Sequence, residues 1–200
     1  RPLGPLLGKV RLSEELVKFL NSHVSEELED YSDSLVGKVN QELKFTDEIS
    51  QRVINELASA IAEYHMNFVP SDRAEGVGIQ VNVLSGWFVR QLQHDYNPLH
   101  LHTNCSLSCV GYLSLPENIE EEWEEDEKDH HPANGRIEFA YGTATQTYTT
   151  ATIRIKPVVG DFFIFPAGLW HTVYPFKTKG ERRSFSMNLS ITKTDLTDKE

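Results

Sequence analysis

The sequence predicts an α+β, mainly β fold: a β-sandwich or jelly-roll core braced by N-terminal helices. Three observations lead there. From about residue 77 the chain is a series of short β-branched and aromatic runs broken by Gly, Pro and Asn, with no helical period of any length. Ahead of that region lie two segments whose apolar residues recur at helical spacing. Finally, 200 residues with 39% hydrophobic content can bury one sizeable core. A single domain over 1–200 is therefore expected, helical over about 1–72 and jelly-roll over about 77–192.

In chain order, residues 12–30 place Leu16, Phe19, Leu20, Val24 and Leu28 on one helix face. A second helix is more sharply marked. Thr46 can cap its start, Asp47 and Glu48 suit the first turn, and Ile49, Val53, Leu57, Ala60, Ile61 and Tyr64 form its stripe; Pro70 comes after its end. Strands are expected near 77–84, 86–94, 105–115, 135–140, 146–155, 161–165, 171–175 and 183–192. The acidic stretch from Glu117 to Asn134 reads as a solvated loop between two strands. Its His130 and His131 are adjacent, so on extended backbone their side chains diverge and suit one metal ion poorly.

Charge and composition exclude several function classes. Lys+Arg 19 against Asp+Glu 30 gives a formal charge of -11, which repels phosphate backbones and anionic lipid. Neither nucleic acid nor membrane is an expected partner. No apolar run approaches the roughly 18 residues of a membrane span, and RPLGPLLGKV lacks a signal peptide's apolar core. Cys105 and Cys109 are the only cysteines and are poorly placed to bridge each other. A cytoplasmic, reducing location is expected.

The histidines carry the chemistry. In HDYNPLHLHTNCSLSCVGYL, His100 and His102 stand two apart before a strand, and the period of two sends both imidazoles to one face. A redox metal that binds a cosubstrate and dioxygen needs about three protein ligands on one side and open positions on the other. The third candidate is His171 in GDFFIFPAGLWHTVYPF, where a turn after an apolar strand brings it to the start of the next. In ERRSFSMNLSI, Arg182, Ser184, Ser186 and Asn188 share one strand face and Arg183, Phe185 and Met187 the other. An inward Arg182 beside Ser184 suits a carboxylate, the guanidinium offering a planar fork and the hydroxyl one more donor.

Each feature alone has an ordinary structural explanation: most histidines and Arg-Arg pairs in proteins are not ligands. Their order is what points to a metal site: two chelating histidines, a set of strands, a third histidine after a buried strand, then Arg-x-Ser.

In these features the chain resembles the 2-oxoglutarate/Fe(II)-dependent dioxygenase superfamily, in particular small oxygenases of bacteria and tailed phages related to prolyl hydroxylases. The matching pieces are YNPLHLH, SLSCVGYLSLP, GRIEF, GDFFIFPAGLWH and RRSFSMNLS, within about residues 80–192. The resemblance implies a double-stranded β-helix core with Fe(II), 2-oxoglutarate and O2 as its cofactors. His100 would be the first histidine of the superfamily's His-x-Asp/Glu pair and His171 the distal one. Arg182 and Ser184 would grip the far carboxylate of 2-oxoglutarate, and Tyr112 and Tyr96 would bond to or pack on the cosubstrate. The departure is His102, which stands where the superfamily usually has a carboxylate; it is kept as the third metal ligand.

The resemblance further implies oxidative decarboxylation of 2-oxoglutarate to succinate and carbon dioxide, coupled to hydroxylation of a C–H bond on a protein or peptide residue, as in prolyl hydroxylases. Trp170, Phe163, Phe165 and Tyr112 would keep water from the centre. A phage-encoded protein working in its host's cytoplasm, and a homodimer, are further expectations. Two alternatives have distinct signatures. A cupin would continue its His-x-His with a glutamate four or five residues on, where this chain has Ser106 and Leu107. A non-catalytic jelly-roll binding module would respond to neither iron nor 2-oxoglutarate.

Overall fold

The computed structural model describes residues 4–142 and 151–195. Two antiparallel sheets form the body. The larger has six strands in the order β1-β8-β5-β10-β3-β2 and the smaller four, β4-β9-β6-β7. Their bounds are β1 Gly8–Arg11, β2 Gln41–Lys44, β3 Val77–Gln91, β4 Asn97–His100, β5 Leu107–Ser114, β6 Ile137–Ala140, β7 Thr152–Ile155, β8 Asp161–Pro166, β9 Trp170–Val173 and β10 Arg182–Asp195. Three helices join them: α1 Glu14–Ser22, α2 Asp47–Phe68 and α3 Ile119–Asp126.

Alternation along the central strands separates two apolar layers. On β8, Phe162 and Ile164 turn toward the helices while Phe163 and Phe165 turn toward the smaller sheet. On β10, Phe185, Met187 and Leu189 join the helix-side core, leaving Ser184, Ser186 and Asn188 to face the space between the sheets. The helix-side core is closed by Leu16 and Leu20 of α1 and by Ile49, Val53, Leu57, Ile61 and Tyr64 of α2. The second helix starts as expected, with Thr46 accepting from the Ile49 amide at 3.3 Å, and the first is capped likewise by the Ser13 hydroxyl, which accepts from the Leu16 amide at 3.0 Å. The layer between the sheets holds Val110, Tyr112, Ile137, Phe139, Phe163, Phe165 and Leu169. These layers bear out a mainly β fold braced by N-terminal helices.

The structure changes four expectations. The first helix ends at Ser22 rather than near 30. The segments expected as two strands, 77–84 and 86–94, form one long strand, β3, that ends at Gln91 and has only an irregularity opposite Asn188/Leu189. Short strands β1 and β2 add to the larger sheet at its two edges. The acidic stretch contains helix α3, because Ile119 and Trp123 lie four apart and bury together against Phe176. Its Glu122 carboxylate further accepts from the Lys177 amide, and from the amide and hydroxyl of Thr178. The expected strand 146–155 falls partly outside the described residues, and β7 is its described part.

Candidate functional site

The three histidines converge between the sheets. His100 at the end of β4 pairs in register with His171 on β9, which puts their rings 4.2 Å apart between centroids. His102 follows two residues later, its amide donating to the Ala167 carbonyl at 2.9 Å, and its ring stacks against His171 at 5.1 Å. One ring nitrogen from each lies within 4.8 Å of the others.

The surroundings prepare all three to be ligands. Nδ1 of His100 meets the Pro98 carbonyl at 2.7 Å and Nδ1 of His171 meets the Leu169 carbonyl at 2.9 Å. Each Nδ1 therefore carries the proton, and each Nε2 presents a lone pair. Burial disfavours the charged imidazolium, lowering His100 from its ordinary value, His102 to about 4 and His171 to about 3. Nε2 of His102 and of His171 stand 3.3 Å apart, an approach that needs a proton or a cation between the two nitrogens. Three neutral imidazoles on one side of a cavity fit a divalent iron ion that keeps open positions for other ligands.

The cavity around them holds about 490 Å³, within the range of roughly 300–1,000 Å³ typical of small-molecule sites. Tyr112 and Ser184 line it, and Tyr112 Oη is buried without any hydrogen-bond partner. Burial raises the Tyr112 hydroxyl to about 12, so it remains a donor at neutral pH. Arg182, 1% exposed, lies behind this wall rather than in it. Its Nε and Nη2 donate to Gln91 Oε1 at 2.9 and 2.6 Å and its Nη1 to the Gly135 carbonyl at 2.6 Å. Both acceptors are neutral, and no carboxylate among the described residues pairs with it. Burying a guanidinium is costly; burial lowers Arg182 to about 10 even though the Asp95 charge pulls the other way, and an anion beside it would relieve that cost further.

Two expected site residues are placed elsewhere. Tyr96 is 42% exposed and absent from the pocket wall; its backbone instead exchanges hydrogen bonds with Lys38, at 2.9 and 3.1 Å. Trp170 is 47% exposed, because it precedes His171 on β9 and alternation turns it away from the centre. Phe163 and Phe165 are buried as expected, and Phe165 packs edge-on to His171 at 4.9 Å. Sequence reading missed Gln91, Trp87 and the wall contributed by Tyr31, Leu35, Val36 and Glu42. Position parity on β3 could have found Gln91 and Trp87, since both share a face with Val89.

Comparison with known proteins agrees with this geometry. A 2OG-Fe(II) oxygenase family model matches residues 85–188, a span that contains all three histidines, Tyr112, Arg182 and Ser184. No curated protein matches the chain. Among solved structures, a Pseudomonas putida prolyl-4-hydroxylase is similar at 17% identity over 92% of this chain and 91% of its own, with a TM-score of 0.58. HygX from Streptomyces hygroscopicus, with nickel and 2-oxoglutarate bound, is similar at 11% identity over 92% and 82%, with a TM-score of 0.56. A Trichoplax adhaerens prolyl hydroxylase in complex with a hypoxia inducible factor peptide fragment is similar at 12% identity over 92% and 83%, with a TM-score of 0.54. These likenesses establish the fold as the double-stranded β-helix. The chain belongs to the 2OG-Fe(II) oxygenase family, and is an oxidoreductase that uses Fe(II) and 2-oxoglutarate.

Proposed function

We propose that this oxygenase hydroxylates a C–H bond on a protein or peptide residue, as a prolyl hydroxylase does. In this reading His100, His102 and His171 hold the iron, and Tyr112, Ser184 and Arg182 serve 2-oxoglutarate. The observation that carries the assignment is the convergence of three neutral imidazoles on a cavity whose wall holds an unpartnered Tyr112 hydroxyl, with the buried Arg182 guanidinium, bonded only to neutral acceptors, behind it. When bound, iron and 2-oxoglutarate supply dioxygen activation, one oxygen atom going to the substrate and the other to succinate as carbon dioxide leaves.

The chain's own residues do the rest. The carbonyls of Pro98 and Leu169 orient the two ring nitrogens toward the metal. Tyr112 and Ser184 donate to the far carboxylate of the cosubstrate, and Arg182 supplies the positive charge from behind them. Phe165 and Val110 line the cavity with apolar surface and limit water near the reacting atoms. A histidine in place of a carboxylate gives the centre one less negative charge, so the cosubstrate's own negative charge contributes more to holding the ion.

A peptide substrate is supported by the cavity, which exceeds what a five-carbon keto acid fills, and by the peptide carried by the Trichoplax relative. A cytoplasmic location is supported by the free thiols Cys105 and Cys109. Among the described residues no helix is long and apolar enough to cross a membrane. The test is aerobic turnover with Fe(II), 2-oxoglutarate and a library of proline-containing peptides. Succinate release matched by gain of one oxygen atom on a peptide is expected; oxygen gain on a free metabolite and on no peptide would contradict the reading.

A further inference from the structure

The end of the cavity formed by residues 31–42 is not needed for iron or 2-oxoglutarate, and it contains a group without a role. Glu42 is 1% exposed and lines the cavity. Its Oε2 is buried with no hydrogen-bond partner, and no Lys, Arg or His among the described residues pairs with it. The alternation of β2 explains the burial: Leu43 turns into the helix-side core, so Glu42 must face the cavity. The chain following Tyr31 closes over it. A Cβ on Gly37 would stand 2.9 Å from Glu42 Oε2, so the Gly37 backbone lies directly against the carboxylate.

Sheet register fixes where this group lies relative to the cosubstrate wall. Tyr112, Ser184, Val89 and Glu42 are successive partners across β5, β10, β3 and β2. Neighbouring strands are about 4.8 Å apart, which sets Glu42 about 10 Å from Ser184 along one row of the same sheet face. From the metal side the link is aromatic. Trp87 lies 6.2 Å from His102 and Tyr31 5.9 Å from Trp87, and the Tyr31 amide donates to the Glu42 carbonyl at 2.8 Å. Glu42 also precedes the span matched by the family model, 85–188. The wall it belongs to therefore lies outside the part this chain shares with the family model.

We propose that Glu42 is a substrate-binding residue that pairs with a protonated nitrogen, an ammonium or guanidinium, on the molecule being oxidised. This inference rests on the oxygenase reading of the same cavity and names its substrate class. An unpaired carboxylate in a buried site is costly, and a donor from the ligand offsets that cost. A cation fits better than a neutral donor because Asp30 adds a second negative charge at this end, raising Glu42 further once burial has already raised it. The chain's net charge of -11 draws the same class of molecule from solution.

The experiment is calorimetric titration of the 200-residue chain with matched probes. Nα-acetyl-lysine methylamide is compared with its norleucine counterpart, and Nα-acetyl-arginine methylamide with its citrulline counterpart. In the native protein at least one cationic probe should bind about tenfold more tightly than its neutral match, and Glu42→Gln should erase that preference. Equal binding within both pairs, absence of binding by all four probes, or a preference that survives Glu42→Gln would overturn the assignment. The comparison within the native protein stands even if the variant folds poorly. Mn(II) and 2-oxoglutarate binding, measured on the same sample, separates the two readings. Their failure with a retained cation preference would sink the metal-site assignment and leave Glu42's role intact.

Discussion

Glu42→Gln should make the metal-free protein more stable, and increasingly so as pH rises. In the native state burial lifts the Glu42 carboxyl from 4.5 to about 7, whereas the unfolded chain ionises it at its ordinary value. Between those two pH values the native protein retains a proton that the unfolded chain has released, so native stability falls as pH rises through that window. Above about pH 7 the full penalty stands, about 3 kcal/mol at about 1.4 kcal/mol per tenfold change in the ionisation constant. Gln keeps the shape and cannot ionise, so it removes this slope. Urea denaturation of metal-free protein at pH 8 should therefore show the variant more stable by up to about 3 kcal/mol, and at pH 5 by under about 1 kcal/mol. The buried histidines titrate identically in both proteins and cancel in the difference. Equal stability at pH 8, or a difference independent of pH, would refute the argument. A gain in stability from losing Glu42 would match the behaviour of a group retained for binding rather than for folding.

Three further outcomes follow from the site and the core. His102→Asp should retain metal binding and 2-oxoglutarate-dependent succinate release, because it restores the family's usual carboxylate at that position; loss of metal in Mn(II) titration would show that the imidazole there is indispensable. Arg182→Gln should weaken 2-oxoglutarate by about tenfold to a hundredfold in calorimetry while sparing Mn(II) affinity, and unchanged cosubstrate affinity would remove Arg182 from the site. Gly111→Ala should destabilise the fold by about 1–3 kcal/mol in urea titration, since its Cβ would meet the Phe185 ring at 2.3 Å; a neutral effect would mean that the helix-side core is looser than the structure shows.

Legibility in the sequence divides along physical lines. Local rules found α2 with its Thr46 cap, and they found the two faces of β10, because capping and alternation need only near neighbours. The three histidines were legible because His-x-His fixes two of them on one side and the turn before His171 supplies the third. What local rules could not see was pairing at a distance. GKVR and QELK carry no strand period of their own, and they become β1 and β2 only because β8 and β3 offer open edges. The expected break between strands at residue 85 does not exist: the strand runs on through Gly86, which lies under the Phe45 ring, where a Cβ would come within 2.6 Å. Charge density concealed the Ile119/Trp123 pair that makes α3 a docked helix. At the site, the Arg182 fork turns to Gln91, a contact 91 positions away that no pattern predicts. The same holds for the wall that Glu42 contributes from an edge strand.

The most direct test of the three-histidine centre is an anaerobic titration with Fe(II) and 2-oxoglutarate followed by visible absorption. A weak charge-transfer band should appear only when both are present, should be lost in His171→Ala, and should give way to succinate when oxygen is admitted. Absence of the band in the native protein, or its persistence in His171→Ala, would contradict the assignment of iron and cosubstrate to this cavity.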